Sequence, residues 1–236
     1  MSQLALPLPL SPPSFAAADF VPDASNEEAL RWLAAPDRWP MGRLVLAGPP
    51  GTGKTHLLHI AAAAQGWELR QGPALRGLPP LPARGLALDD ADAPAEEAAL
   101  LHLLNACAEA GLPVLMAAAA APSRWRIALP DLRSRLAATA VAMTGEPSDA
   151  LLEALFAKHL ADRQLALEPG LAAFLRARLP RSAAAMAEAV ARLDHAALAS
   201  GRRLTRRAAL AALAPLLGDA SETSPEPALP AGPALL

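Results

Sequence analysis

The chain has 236 residues, of which 53% are hydrophobic and only 3% aromatic, and its formal net charge is −2 at pH 7. This length suffices for one α/β domain and a small second domain without a structural metal or a disulfide. The near-neutral charge argues against a protein held on nucleic acid by a general basic field, so we expect any contact with DNA to be indirect.

Neither a membrane segment nor a secretory signal is expected. Every apolar stretch of membrane-spanning length contains Pro, Gly or charge, and the start of the chain has no basic residue before Arg31. Cys107 is the single cysteine, which excludes an internal disulfide and any multi-cysteine zinc site, and its helical surroundings predict a buried thiol. We therefore expect a cytoplasmic protein without a membrane partner.

The first two thirds of the chain predict a tail followed by an α/β domain. Residues 1–14 are rich in Pro and Leu and carry no charge, which predicts an extended tail without a core of its own. From residue 15 to 145, apolar strands alternate with helical patterns, as in a parallel sheet covered by helices on both faces. The predicted strands are 43–47, 67–70, 85–89, 113–118 and 138–143, and the predicted helices are 54–64, 95–110 and 131–136.

The sequence changes character after Gly145, because four stretches then have helical spacing and no convincing strand separates them. Ser182 and Thr205 are suitable N-cap residues, and Pro169 fits a first helical turn. We expect a small all-helical domain over residues 146–218 and a disordered, Pro- and Ala-rich tail over 219–236. The four predicted helices are 148–161, 169–178, 182–200 and 205–217.

A phosphate-loop pattern stands between the first predicted strand and the first predicted helix. Gly51 and Gly53 allow backbone N–H groups to turn around an anion, and the start of the helix adds its positive dipole end. Lys54 supplies a charge for the outer phosphates, and the Thr55 hydroxyl is a ligand for Mg²⁺. The pattern comprises Gly48, Pro49, Pro50, Gly51, Thr52, Gly53, Lys54 and Thr55.

A second element of such a site is a buried strand that ends in acidic residues, and Asp89 and Asp90 follow the predicted strand 85–89. Taken alone, two acids in this position more often open a loop or cap a helix. Together with a phosphate loop, Asp89 is expected to reach Mg²⁺ and Asp90 to orient or deprotonate the attacking water.

The predicted strand 113–118 leads into a run of alanines, residues 117–121, which offers no side chain to position water. Phosphoryl transfer is catalysed mainly by placed charges and hydrogen bonds, so we expect slow hydrolysis by this chain alone.

Three motifs resemble those of the AAA+ family that contains the bacterial replication initiator DnaA. They are the run Gly53-Lys54-Thr55-His56-Leu57-Leu58-His59, then Leu88-Asp89-Asp90, then Leu132-Arg133-Ser134-Arg135-Leu136. The resemblance covers residues 15–217 and lacks the helix-turn-helix domain of DnaA, so the chain is similar to the shorter Hda type. It implies an AAA+ P-loop α/β domain with a helical lid, and ADP or ATP with Mg²⁺ bound by residues 48–56, His56 included.

The N-terminal tail is similar to the peptide by which Hda-type proteins dock on the replicative sliding clamp, of the form Gln-Leu-x-Leu-Pro-Leu. A polar first residue can hydrogen-bond at the mouth of a pocket, the leucines are apolar anchors, and proline reduces the entropy lost on binding. An Ala-, Leu- and Pro-rich tail also makes accidental matches easy. The matching residues are Gln3, Leu4, Leu6, Pro7 and Leu8.

The resemblance further implies that an arginine completes the nucleotide site of a neighbouring protomer. Arg135 matches this finger position, although in an Arg-rich segment it is also readable as a surface residue. Two family features are missing: the polar sensor falls in the alanine run, and the sensor arginine of the lid falls near Ala184, with Arg181 offset.

Taken together, the resemblance implies a negative regulator of replication initiation. It binds the sliding clamp and, through Arg135 acting in trans, stimulates ATP hydrolysis by DnaA. One alternative is an autonomous P-loop ATPase such as a helicase loader, which the alanine run opposes. Another is a DNA-binding initiator fragment, which the missing reader domain and the near-neutral charge oppose.

Overall fold

A computed structural model describes residues 15–200 and 204–217 of the chain. The tails predicted for residues 1–14 and 219–236 lie outside the described residues. Among the described residues, no helix is both long enough and apolar enough to cross a membrane.

A five-stranded parallel sheet forms the centre of the α/β region, in the strand order β2-β3-β4-β1-β5. Its strands are β1 (Arg43–Ala47), β2 (Glu68–Gln71), β3 (Leu86–Asp89), β4 (Val114–Ala118) and β5 (Ala140–Met143). The central strands β1, β3 and β4 are buried along their whole length, as expected for a sheet covered on both faces. The predicted parallel α/β architecture is confirmed, and predicted element ends differ from the observed ones by no more than two residues.

Four helices accompany the sheet, namely α1 (Glu27–Leu33), α2 (Lys54–Gln65), α3 (Glu97–Glu109) and α4 (Pro130–Ala137). Because side chains alternate along a strand, β1 serves two apolar layers. Leu44 and Leu46 pack in the layer that contains α2, whereas Val45 and Ala47 pack in the layer that contains α3 and α4. Cys107 is buried in the second of these layers, as predicted.

The helical region has a separate apolar core. Its helices are α5 (Asp149–Asp162), α6 (Pro169–Arg176), α7 (Ala183–Ser200) and α8 (Arg206–Leu217). Leu155, Met186 and Leu213 are among the residues that fill this core between α5, α7 and α8. Both predicted N-caps are confirmed, because the Ser182 hydroxyl accepts the Ala185 N–H and the Thr205 hydroxyl accepts the Ala208 N–H.

Candidate functional site

The phosphate loop lies at the carboxyl edge of the sheet, where β1 ends and α2 begins. Gly51 has φ +79° and Gly53 has φ +87°, both in the left-handed region that glycine enters without steric cost. Because α2 starts at Lys54, its amino end faces the loop and favours negative charge there. The backbone therefore has the turn and the dipole that the sequence predicted for a phosphate site.

Lys54 is held over the loop and close to the acidic residues. Its Nζ donates hydrogen bonds to the carbonyl oxygens of Gly48 at 2.8 Å and Pro49 at 2.7 Å. Burial lowers the pKa of Lys54, whereas the nearby charge of Asp89, followed by other carboxylates, acts to raise it. The ammonium thus lies between the phosphate loop and the acidic end of β3.

The two predicted acids differ in environment. Asp89 is 7% exposed at the end of β3, and its Oδ1 accepts the N–H of Asp90 at 3.1 Å. Asp90 adopts a left-handed backbone, with φ +48°. Burial, then the charges of Asp89 and Asp92, raise the pKa of Asp90, and Lys54 partly opposes this. A raised pKa makes the Asp90 carboxylate a better proton acceptor.

Two polar side chains of the site were not predicted. The Thr144 hydroxyl lies 2.7 Å from the Thr52 hydroxyl and donates to the carbonyl oxygen of Ala47 at 3.3 Å. A Cβ at Gly48 would lie 2.2 Å from the Thr144 carbonyl oxygen, so this close approach requires glycine. Asp92 accepts the N–H of Ala119 at 2.9 Å, which brings a carboxylate to the alanine run that has no polar side chain of its own.

The stretch from Phe15 to Ser25, here called the entry segment, packs against α2. The ring of Phe15 stacks on His59 at 4.0 Å, and His56 Nε2 lies 3.0 Å from the carbonyl oxygen of Ala16. Phe20 contacts the His56 ring edge-on, at 5.4 Å between centroids. The His56 ring therefore contacts the entry segment, and its predicted contact with a nucleotide remains a prediction.

The same entry segment is tied to the helical region. Lys158 of α5 donates to Asp19 at 2.6 Å, and Ser148, the N-cap of α5, donates to Asp23 at 2.7 Å. Val21 packs against the apolar core of the helical region. One short stretch of chain thus contacts the helix that follows the phosphate loop as well as the helical region.

At the start of α7, the helical region meets the phosphate loop itself. The position that a Cβ at Gly51 would occupy is 2.6 Å from the Cβ of Ser182. The preceding Arg181 donates to a carboxylate oxygen of Asp149 and to the carbonyl oxygen of Pro147. Arg181 is thus held by the start of α5 and not by the phosphate loop.

Arg135 and the phosphate loop lie at opposite edges of the parallel sheet. Arg135 belongs to the last turn of α4, which leads into the amino end of β5, whereas the phosphate loop follows the carboxyl end of β1. Arg135 is half-buried, and Arg133 is exposed. The tail residues Gln3, Leu4, Leu6, Pro7 and Leu8 lie outside the described residues.

Comparisons with known proteins agree with this architecture. The family model described as "Hda, lid domain" matches residues 149–206. No curated protein matches the chain by sequence.

Solved structures of AAA+ proteins are similar to the chain at low sequence identity. Domain III of the replication initiation protein DnaA from Thermotoga maritima superposes with a TM-score of 0.71 and 18% identity, over 89% of this chain and 99% of that one. AMPPCP-bound DnaA from Aquifex aeolicus gives 0.56 and 15%, over 72% and 61% of the respective chains. A Thermotoga maritima RuvB mutant gives 0.64 and 19%, over 85% and 72%. The chain therefore has the fold of these AAA+ structures, and its helical region matches the model of the Hda lid domain over residues 149–206.

Proposed function

We propose that this chain binds an adenine nucleotide and, docked on the sliding clamp through residues 3–8, stimulates ATP hydrolysis by DnaA in trans. The observation that carries the proposal is the separation of two chemistries within one DnaA-like fold. A phosphate loop with its acids lies at the carboxyl edge of the sheet, while Arg135 lies at the amino edge, next to β5. A guanidinium in that place cannot serve the nucleotide of its own chain, and it is suited to a neighbour's.

The chain's own nucleotide is assigned to the phosphate loop. Gly51 and Gly53 provide the turn, and Lys54 provides the charge, as described above. The binding of AMPPCP by the similar DnaA from Aquifex aeolicus supports an adenine nucleotide, ADP or ATP, here.

The donors near the loop also fit Mg²⁺. The Thr55 hydroxyl and the buried Asp89 carboxylate are oxygen ligands of the kind that this ion prefers. Asp89 is also close enough to Lys54 for its charge to act on the ammonium. When bound, Mg²⁺ neutralises phosphate charge. The positive charge of Lys54 offsets the negative charge of Asp89, Asp92 and Asp90, so an anionic ligand can bind beside these carboxylates.

Arg135 is assigned the role of the finger. Its guanidinium keeps its positive charge and has a forked geometry that matches phosphate oxygens. Supplied in trans to a nucleotide held by DnaA, such a group accelerates hydrolysis by roughly 10³ to 10⁵. The result is loss of the ATP form of DnaA, which prevents re-initiation.

One observation favours the second candidate, an autonomous ATPase such as a helicase loader. Asp92 lies at the alanine run, and the pKa of Asp90 is raised, so two carboxylates are available near the phosphate loop to position or activate water. Brisk ATP hydrolysis by the purified chain alone would support this candidate over the first.

The decisive experiment is a reconstituted assay of DnaA-bound ATP with and without DNA-loaded clamp. We expect the parent protein to accelerate ATP loss only when the loaded clamp is present. Arg135→Ala should bind clamp and nucleotide normally and fail to accelerate the loss. The exposed Arg133→Ala is the matched control from the same helix and should retain stimulation. Parental stimulation by Arg135→Ala would show that the finger assignment is wrong.

A further inference from the structure

Arg43, the first residue of β1, is an unusual residue for the interior of a sheet. It is 2% exposed, and its Nε and Nη1 are buried without a hydrogen-bond acceptor in the part of the chain that the structure describes. By the alternation of β1 it shares a face with Val45 and Ala47, which is the face covered by α3 and α4. A guanidinium is thus enclosed at the amino edge of the sheet, beneath α4.

Arginine does not solve this problem by losing its proton, because its guanidinium remains charged in proteins. A buried charge whose N–H groups lack acceptors is costly, so Arg43 calls for a reason other than stability. The phosphate loop gives none, since it follows the opposite end of β1.

The register of the sheet places Arg43 beside the end of α4. Leu44 pairs with Ala140 in the parallel β1–β5 ladder, so Thr139 is the neighbour of Arg43 across the two strands. The Thr139 hydroxyl donates to the backbone carbonyl oxygen of Arg135 at 3.1 Å. Burial, and next the positive charge of Arg135, lower the pKa of Arg43, which is the effect of one guanidinium on another nearby.

The two positive charges repel each other, and Arg43, enclosed in the sheet, has less room to move than the half-buried Arg135. Arg135 is half-buried on the last turn of α4, where the negative end of the helix dipole attracts cations. Without an opposing charge, a long arginine side chain is free to fold back toward that helix end. The fixed positive charge of Arg43 opposes that conformation.

We propose that Arg43 is a positioning residue for Arg135, which it keeps directed outward toward a phosphate anion presented by a partner protein. The inference rests on the proposed function, in which that anion belongs to the ATP held by DnaA. Arg43 itself is too buried to touch the partner, so it acts through Arg135.

The repulsion is testable in the full chain without DnaA. Urea unfolding is measured for Arg43→Met, Arg135→Met and the double variant, with Arg43→Lys as the charge-preserving control. We expect Arg43→Met to raise the urea midpoint, because it removes an unpaired buried charge. Each single variant already relieves the repulsion between the two guanidinium groups. The urea midpoint of the double variant should therefore change by less than the sum of the two single-variant changes. Additive midpoint shifts would overturn the inference and leave the finger assignment untouched.

Positioning is then tested in the DnaA assay, by titrating each variant against DnaA-bound ATP. We expect Arg43→Met to lower the maximal rate of ATP loss roughly tenfold, with ADP binding by the chain unchanged. Arg43→Lys should recover most of that rate, which a purely structural role for the arginine shape would not predict. A parental maximal rate for Arg43→Met would overturn the inference alone. Full stimulation by Arg135→Ala would overturn the proposed function and this inference with it.

Discussion

The Cβ of Ser182 lies 2.6 Å from the position that a Cβ at Gly51 would occupy, so the lid and the phosphate loop are in direct contact. Ser182 is also the N-cap of α7, with its hydroxyl bound to the Ala185 N–H. A movement of the loop at Gly51 would therefore displace Ser182 at the start of α7, the longest helix of the lid. This contact places the start of α7 at the proposed nucleotide site.

Gly51→Ala is expected to weaken ADP binding and destabilise the fold. The new methyl would meet Ser182, and the left-handed backbone at φ +79° adds about 1–2 kcal/mol of strain. Gly77→Ala is the matched control, because Gly77 also has positive φ, at +61°, but a Cβ there meets nothing within 4 Å. Calorimetric ADP titration and urea unfolding of both variants separate strain from contact. Equal losses in the two variants would argue against the lid contact.

Lys54→Ala is expected to weaken ADP binding by at least roughly a hundredfold, or about 2.7 kcal/mol. The reason is that Lys54 supplies the positive charge for the phosphates of ADP. Without it, the carboxylates at the end of β3 would repel those phosphates. Lys158→Ala is the control, because it removes the other lysine of the chain, which forms ion pairs with Asp19 and Asp162. Calorimetry should show ADP binding retained in that variant. Parental ADP affinity of Lys54→Ala would contradict the phosphate site.

Most of the fold could be predicted because its elements carry strong local signals. Strand β1 is predicted at its observed bounds, since the apolar run of residues 44–47 directly precedes a glycine-rich turn. Helix α1 is not predicted because its seven residues make only two turns, too few for the apolar Ala29, Trp32 and Leu33 to establish a helical period. The predicted strand 138–143 starts at Ala140 instead, because the Thr139 N–H closes the turn after α4 by bonding to Leu136.

The site could be predicted only where its residues are consecutive. The phosphate loop and the acids after β3 have local patterns, and the structure brings them together. Thr52 and Thr144 are 92 positions apart, and no local sequence pattern identifies Thr144 as a partner of the phosphate loop. The contacts of the entry segment with His56 and Lys158 likewise depend on the folded chain.

Replacing Gln3 and Leu4 with Ala is expected to abolish capture of the protein by immobilised sliding clamp. These changes remove the polar contact and one apolar anchor from the predicted docking peptide, which as a short peptide binds with a Kd of about 1 μM. Leu10→Ala, outside the motif in the same tail, is the control and should be captured like the parent. Capture of the double variant at parental levels would mean that the peptide is incidental.

Asp23 is expected to make the folded state sensitive to acid. Hydrogen bonds from the hydroxyl of Ser148, and then of Ser25, lower the pKa of Asp23 from 3.8 to about 2. Because the folded pKa lies below the unfolded one, this stabilisation is fully present above about pH 4 and is lost as the pH falls toward about 2. In urea unfolding, the parent should exceed Asp23→Asn in midpoint near pH 6, and the gap should close near pH 2. The exposed Asp37→Asn is the control and should follow the parent across this range. A gap between parent and Asp23→Asn that does not change with pH would show that the carboxylate charge does not hold the entry segment to the lid.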